Sequence, residues 1–288
     1  MTDEATVYVV LLNWNGWQDT VSCLQSLLHS EGVRLRIVVC DNASSDRSMD
    51  RIAAWAEGAQ PVEIPGHPRL ARLLEQPRLP LPYLRIDRAM AEQEGLDSVA
   101  PLVLIDNGAN LGFAAGNNVG LRFALRQPDM HDVWVLNNAT LVEPDCLANM
   151  ARRLQREPGP AVCGSMIHFF DQPEIIQAIG GNRFNRMTGQ AACSEGRFTH
   201  EDSALDIGSI EHQLAYLSGC SLLLPRDFLE SVGLMSEDYF LYYEEIDWFT
   251  RCAGRYQIRI AADARIYHRE GRSIGSKNLY QSASTLSD

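Results

Sequence analysis

The chain repeats one unit from its beginning: a short, unbroken apolar run that ends on Asn or Asp, followed by an amphipathic helical pattern. Thr6 to Leu12 is β-branched and continuous, as a strand covered on both faces should be, and it ends in the turn cluster Asn13-Trp14-Asn15-Gly16. A helix is predicted from about Trp17 to Ser30, with Val21, Leu24, Leu27 and Leu28 on one stripe. Leu35 to Cys40 predicts a second strand, which runs into Asp41-Asn42-Ala43-Ser44-Ser45-Asp46 and a helix over about residues 47–56. Strand, helix, strand, helix at this spacing predicts an α/β fold with a parallel sheet and right-handed crossovers.

Residues 58–100 break the rhythm. Prolines at 61, 65, 68, 77, 80, 82 and 101 exclude a long helix and leave room for a short one over 85–94, so the stretch reads as an insertion on the sheet's rim. The sheet resumes at Leu102 to Ile105 and ends on Asp106-Asn107. After the turn Gly108 to Phe113, a helix is predicted from about Ala115 to Arg126. Val133 to Leu136 ends on Asn137-Asn138, and Pro144 is placed to open a helix at its first turn. A strand near 161–167 precedes an irregular region to about Gln213. A strand over 216–224, a helix over 226–232, an acidic cluster near Glu244, a helix to about Ala253 and a last strand pair ending at His268 complete the chain's pattern.

The length of 288 residues allows one large domain or two small ones. With 25 Lys and Arg against 37 Asp and Glu, the net charge is −12, which argues against a sequence-independent nucleic-acid binder or docking on anionic lipid by charge alone. An anionic ligand then needs a local site built from a metal, a basic side chain or backbone amides. No stretch reaches the roughly 18 apolar residues of a spanning helix, and the start Met1-Thr2-Asp3-Glu4 is acidic where a secretory signal is basic, so the expectation is a cytoplasmic chain. Seven cysteines without a CxxC pair read as scattered reduced core thiols.

In an open parallel sheet, ligands bind beyond the carboxyl ends of the strands. Those positions are polar every time: Asn13 and Asn15, Asp41 and Asn42, Asp106 and Asn107, Asn137 and Asn138. Each alone is an ordinary turn or cap residue, but four strand ends sharing the habit make one polar rim. There is no GxGxxG after the first strand and no GxxxxGK[ST], which argues against a dinucleotide fold and a P-loop.

Asn13-Trp14-Asn15-Gly16, Asp41-Asn42-Ala43-Ser44-Ser45-Asp46, the run from Asn110 through Gly112 and Gly116 to Asn118, and Tyr242-Tyr243-Glu244-Glu245-Ile246-Asp247-Trp248 with Arg251 occur in this order. Together they resemble glycosyltransferase family 2, and within it the rhamnosyltransferase-like branch with the GT-A fold. The resemblance runs over about residues 6–275, and the domain is taken as 1–275, with a nucleotide-binding half over 1–140 and an acceptor-binding half over 141–275.

It implies a Rossmann-like, mostly parallel sheet flanked by helices, and an inverting transfer of a sugar from a nucleotide diphosphate to a hydroxyl. By the same resemblance, Asp41 holds the base or ribose with Asn42 and Asn15 beside it, and Leu12 and Asn13 line the base pocket. Asn110, Gly112 and Asn117 lie along the nucleotide and diphosphate, with Gly112 and Gly116 allowing close backbone approach and the helix start near Ala115 offering N–H groups to the anion. Asn137 and Asn138 close the rim. Glu245 is the general base, Glu244 orients a sugar, and Asp247 with Arg251 supports them at i,i+4. Such a base must lie opposite the leaving group, and neighbouring carboxylates raise one another's pKa, which suits proton uptake. A histidine after the last strand can complete the family's metal site, which points to His268 and to Mg²⁺ or Mn²⁺ on the diphosphate.

One position departs from that pattern. Where relatives read Leu-Asn-Asn-Asp-Thr, with the Asp a metal ligand, this chain reads Leu136-Asn137-Asn138-Ala139-Thr140. Three accounts fit Ala139: an engineered Asp→Ala change that abolishes activity, a natural variant whose metal site depends on Asn138, His268 and water, or an inactive relative that only binds a nucleotide sugar. The expected donor is dTDP- or UDP-linked, with rhamnose as a candidate sugar. The expected acceptor is a polysaccharide or lipid-linked glycan lying over residues 170–215. The non-catalytic nucleotide-sugar-binding module is the alternative. The tail 276–288 ends where related chains continue, so a longer native protein with peripheral contact at the inner face of a membrane is expected.

Overall fold

A computed structural model describes residues 6–75, 79–93, 95–96, 100–193, 197–252 and 254–270; the tail over 276–288 lies outside them. Strand β1 (Thr6–Asn13) sends Tyr8 and Val10 to one face of the sheet and Val7, Val9 and Leu11 to the other, and both sets are buried. That two-sided burial is why its apolar run is unbroken. Helix α1 (Trp17–Leu27) and β2 (Arg34–Asp41) follow, then α2 (Ser48–Ala56). The stretch 58–100 holds α3 (Pro68–Ala71), strand β3 (Tyr83–Asp87) and α4 (Arg88–Ala91). β4 (Leu102–Asp106), α5 (Gly112–Arg126) and β5 (Met130–Asn137) continue the alternation.

The second half brings β6 (Thr140–Val142), α6 (Cys146–Gln155), β7 (Ala161–Phe169), β8 (Ile176–Ile179), β9 (Gly181–Asn185), β10 (Gln190–Cys193) and α7 (Ile207–Gln213). Then come β11 (Tyr216–Leu217), β12 (Ser221–Pro225), α8 (Arg226–Val232), α9 (Glu244–Arg251) and β13 (Gln257–His268). Among the described residues the main sheet runs β3-β4-β2-β1-β5-β12-β7-β13-β6, with β8 paired to β7, and a small sheet runs β10-β9-β11. Pairing from β3 through β5 is parallel, whereas β12 is antiparallel to both its neighbours. One core packs α5, α8 and α9 on one face of the sheet. The other packs α1, α2 and α6 on the opposite face.

The structure corrects the sequence expectations in several places. The rim insertion contributes β3 to the sheet edge, and among the described residues of the helix expected over 85–94 only Arg88–Ala91 are helical. Helix α5 starts at Gly112 rather than Ala115, and Pro144 lies in the turn before α6. Among the described residues, the irregular region before Gln213 holds β8, β9, β10 and α7. The strand expected over 216–224 is broken into β11 and β12 by a turn at Ser218 to Cys220. The last strand pair is one strand with an irregularity between Ala261 and Arg265. Six cysteines are buried, but Cys193 is exposed and so is not a core thiol. No helix among the described residues is long and apolar enough to cross a membrane.

Candidate active site

The polar strand ends bond to one another. Asn13 Nδ2 donates to Asp41 Oδ1 at 2.6 Å and to Ser44 Oγ at 3.1 Å. Its Oδ1 accepts from Thr20 Oγ1 at 2.7 Å and from Asn138 Nδ2 at 3.4 Å, and Asn138 Nδ2 also donates to Thr20 at 2.9 Å. One hydrogen-bonded chain thus crosses the ends of β2, β1 and β5. Asp41 Oδ1 accepts from Ser44 Oγ at 2.7 Å and its Oδ2 from Ser44 N at 2.9 Å, so three of a carboxylate's roughly four acceptor positions are taken within the protein. Exposed Asn15 braces the next loop, its Oδ1 accepting the Ser45 N–H at 2.8 Å.

A cleft of about 400 Å³ opens beside this chain, lined by Asp41, Ser44, Arg47, Arg85, Asp106 and Gly108 among others. Arg85 pairs with Asp50 at 2.9 Å, and that guanidinium holds the Asp50 carboxyl below its ordinary range. Sequence reasoning missed Arg85, because it stood in a proline-rich stretch, although Tyr83 to Asp87 carries a β-like pattern. Asn42 joins the chain to the next element: its Oδ1 accepts from Asn107 Nδ2 at 2.8 Å, and its Nδ2 donates to the Gly112 carbonyl at 3.0 Å and to Asn110 Oδ1 at 3.3 Å. Leu12 is half-buried, and its Cδ1 would lie 2.6 Å from a Cβ added at Gly116, beside the Asn42 amide at 2.8 Å. Gly116 therefore serves helix-to-sheet packing.

Gly112 is closely packed in the same way. Its φ is +79°, and an added Cβ would stand 2.3 Å from the Phe240 carbonyl oxygen. The Phe113 N–H donates to that oxygen at 2.8 Å, and the Gly112 N–H donates to Asn110 Oδ1 at 3.1 Å. The first two amides of α5, those of Gly112 and Phe113, are bonded to protein groups, and the segment before α9 is fastened onto the start of α5. Asn117 donates through Nδ2 to the Phe113 carbonyl at 2.9 Å, while its buried Oδ1 and that of Asn107 have no hydrogen-bond partner among the described residues. Unpaired buried acceptors of this kind cost about 1 to 3 kcal/mol each, which points to a ligand or water as their partner.

On the other side of the site, α9 begins after Tyr242 and Tyr243, both at φ +70°. Glu245 Oε1 accepts the Gly219 N–H at 2.9 Å. Cys220, next in that turn, accepts the Asn137 N–H on its carbonyl at 3.0 Å, so the turn ties Glu245 to the end of β5. Glu244 is buried, and its Oε2 has no hydrogen-bond partner among the described residues. Burial first, and then the neighbouring Glu245 charge, push its carboxyl from 4.5 up to about 7, and burial raises Glu245 as well. Asp247 and Arg251 form the i,i+4 pair at 2.8 Å, and Arg251 also donates to the Val232 and Leu234 carbonyls.

The native state holds the Glu244 proton to a higher pH than the unfolded chain does. The penalty is therefore absent below about 4.5, grows as pH rises, and is fully present above about 7. Glu244→Gln is expected to melt higher than the unmodified protein at about pH 8, with the difference closing toward about pH 4.5. Thermal unfolding at the two pH values measures this.

Asn137 Oδ1 accepts the Ala139 N–H at 2.8 Å, and the Ala139 carbonyl accepts the Arg269 N–H at 2.9 Å. The Arg269 guanidinium pairs with Asp19 at 2.6 Å. His268 sits opposite Thr140 in the β13–β6 pairing, with Nδ1 3.0 Å from Gln177 Oε1, and burial lowers its pKa to about 4, so the ring is neutral at neutral pH. These residues do not fit the divalent cation that the resemblance implies. Ala139 presents a methyl group, His268 supplies one imidazole, and among the described residues no group of three His, Cys, Asp or Glu is placed to hold a metal.

No protein-family profile matches the chain. Over 153 residues it is 29% identical to a low-salt glycan biosynthesis hexosyltransferase of Haloferax volcanii, a stretch covering 51% of this chain and 45% of that protein. Among solved structures, the mannosyltransferase PcManGT from Pyrobaculum calidifontis, in complex with GDP-Man and Mn²⁺, superposes at a TM-score of 0.54 with 17% identity, covering 92% of this chain and 57% of that one. GalNAc-T7 with UDP, GalNAc and Mn²⁺ gives 0.59 with 13% identity, covering 93% and 44%. S. aureus TarS gives 0.53 with 12% identity, covering 92% and 60%. The chain thus spans less than two thirds of the length of each of these proteins. A large, mostly parallel sheet between two helical layers, superposing over nearly its whole length on these enzymes, is the GT-A glycosyltransferase fold.

Proposed function

We propose that this chain transfers a hexosyl group from a nucleotide-diphosphate sugar to an acceptor hydroxyl with inversion at the anomeric carbon. The observation that carries this reading is the pair Glu244 and Glu245. Two carboxylates, raised in pKa, stand at the start of α9, and one is held by the turn that contacts the end of β5. The nucleoside lies in the cleft between Asp41, Arg85 and Asp106. Glu245 takes the proton of the acceptor O–H as that oxygen bonds to the anomeric carbon. The bond from that carbon to the diphosphate oxygen breaks on the opposite face, and the nucleoside diphosphate leaves with the bonding pair.

The motif resemblance supports a dTDP- or UDP-linked donor with rhamnose as a candidate sugar, a polysaccharide or lipid-linked glycan acceptor, and a site at the cytoplasmic face of the membrane. Ala139 supports the second reading, a module that binds a nucleotide sugar without turnover. Calorimetric titration with UDP-, GDP- and dTDP-linked hexoses, with and without Mn²⁺, tests both. The unmodified chain is expected to bind at least one donor with little gain from Mn²⁺. Ala139→Asp is expected to make binding and transfer respond to the metal, since one carboxylate joins His268. Absence of binding to every donor would overturn both readings. Binding without transfer, in the unmodified chain and in Ala139→Asp alike, would favour the module.

A further inference from the structure

Gly219 lies where three parts of the site meet. Its N–H donates to Glu245 Oε1 at 2.9 Å. A Cβ added there would stand 2.5 Å from that same oxygen and 3.0 Å from the ring of Phe113, in the first turn of α5. Its neighbour Cys220 is bonded through its carbonyl to the Asn137 N–H at the end of β5. The turn is thus fixed from two sides, and a Cβ there would require the Glu245 carboxylate to swing out of its hydrogen bond and the Phe113 ring to give way. A free glutamate side chain samples many rotamers, and ordering it costs conformational entropy. A rigid backbone donor to a carboxylate makes a charge-assisted bond, the stronger class, and leaves the second oxygen unengaged by that donor.

We propose that Gly219 is a positioning residue for the base: its backbone N–H holds one oxygen of Glu245 so that the other meets the acceptor hydroxyl, and its missing side chain leaves room for that grip. This rests on the reading of Glu245 as the base. A hydrogen bond to the ionised carboxylate also favours that form, against the burial that opposes it. The titratable groups facing this point are Glu244 on the same helix, the Cys220 thiol in the turn, and Glu270 beyond β13, whose charge is felt at Cys220 together with that of Glu245.

Two measurements test it. In the unmodified protein, the Gly219 amide proton followed by NMR from about pH 4 to about pH 9 is expected to titrate with an apparent pKa above the ordinary Glu value. Glu245→Gln is expected to abolish that titration, while Glu244→Gln shifts it without removing it. This readout needs no turnover, so it stands or falls apart from the transfer reaction. In Gly219→Ala, kcat for release of nucleoside diphosphate from the donor found by titration is expected to fall about 10- to 100-fold. The donor KM should stay within about threefold, and the acid limb of the kcat profile should move to higher pH. An amide that does not titrate, or titrates equally in Glu245→Gln, overturns the proposal, as does a Gly219→Ala protein whose kcat and pH profile are unchanged.

Discussion

Glu245→Gln is expected to lower the rate of sugar transfer by about 10²- to 10⁴-fold while leaving the donor bound. Glutamine keeps the length of the side chain and an oxygen that accepts the Gly219 N–H, so the turn and the start of α9 keep their geometry. What it lacks is basicity. The acceptor proton then has nowhere within reach to go as the new bond forms, and the barrier rises by the share that general-base catalysis contributed. Donor affinity by calorimetry should change little, because the cleft proposed for the nucleoside lies along β2, β3 and β4. The melting temperature should hold or rise, because a buried carboxylate has been made neutral. A variant that retains more than about a tenth of the transfer rate would remove Glu245 from the role of base, since such a group contributes at least about 10²-fold.

Gly112→Ala is expected to cost about 3 kcal/mol, the sum of a left-handed non-glycine residue and an overpacked contact. The predicted fall in melting temperature is roughly 6 to 12 °C. The residue has φ +79°, and its new Cβ would overlap the Phe240 carbonyl oxygen at 2.3 Å and the Phe240 ring at 2.8 Å. Relief requires the segment before α9 to move away, which breaks the bond from the Phe113 N–H to Phe240 and releases the anchor just ahead of Glu244 and Glu245. Transfer activity is therefore expected to fall along with stability. Gly108→Ala separates the two causes: Gly108 has φ +72° with no atom within 4 Å of an added Cβ, so it should lose only the backbone part, about 1 kcal/mol. Equal losses at the two positions would show that the contact with Phe240 contributes nothing.

The strands of the first half of the chain were legible because burial on both faces leaves an unbroken apolar run, as in β1, β2 and β4. The edge strand β3 was not, because it is only part-buried and follows prolines that dominate the local reading. Strands β8, β9 and β10 lay unread because β10 is wholly exposed and β9 is polar along one side, so neither shows a core-facing period. The strand-end asparagines and aspartates were legible as positions on one rim. Their partners were not, since nothing in a linear pattern tells a side chain that meets a ligand from one that meets its neighbour on the next strand. Asn13 and Asp41 show this most plainly, each bonding across to the other. Gly219 left a signal that went unused: a Ser-Gly-Cys break inside an apparent strand.

The chain from Thr20 and Asn138 through Asn13 to Asp41 has a direction. The asparagine accepts on one side and donates on the other, and a carboxylate terminates it. Its members cannot be exchanged one at a time in arbitrary order during divergence. An acid at position 13 would set two carboxylates against each other, and an amide at position 41 would have to turn its oxygen toward Asn13 and forgo a second acceptor. A lineage that changes what this rim binds therefore has to pass through paired replacements or through neutral intermediates at Thr20 and Ser44. Novelty in ligand choice is easier to reach at Arg47, Arg85 and Asp106, which line the same cleft outside that chain.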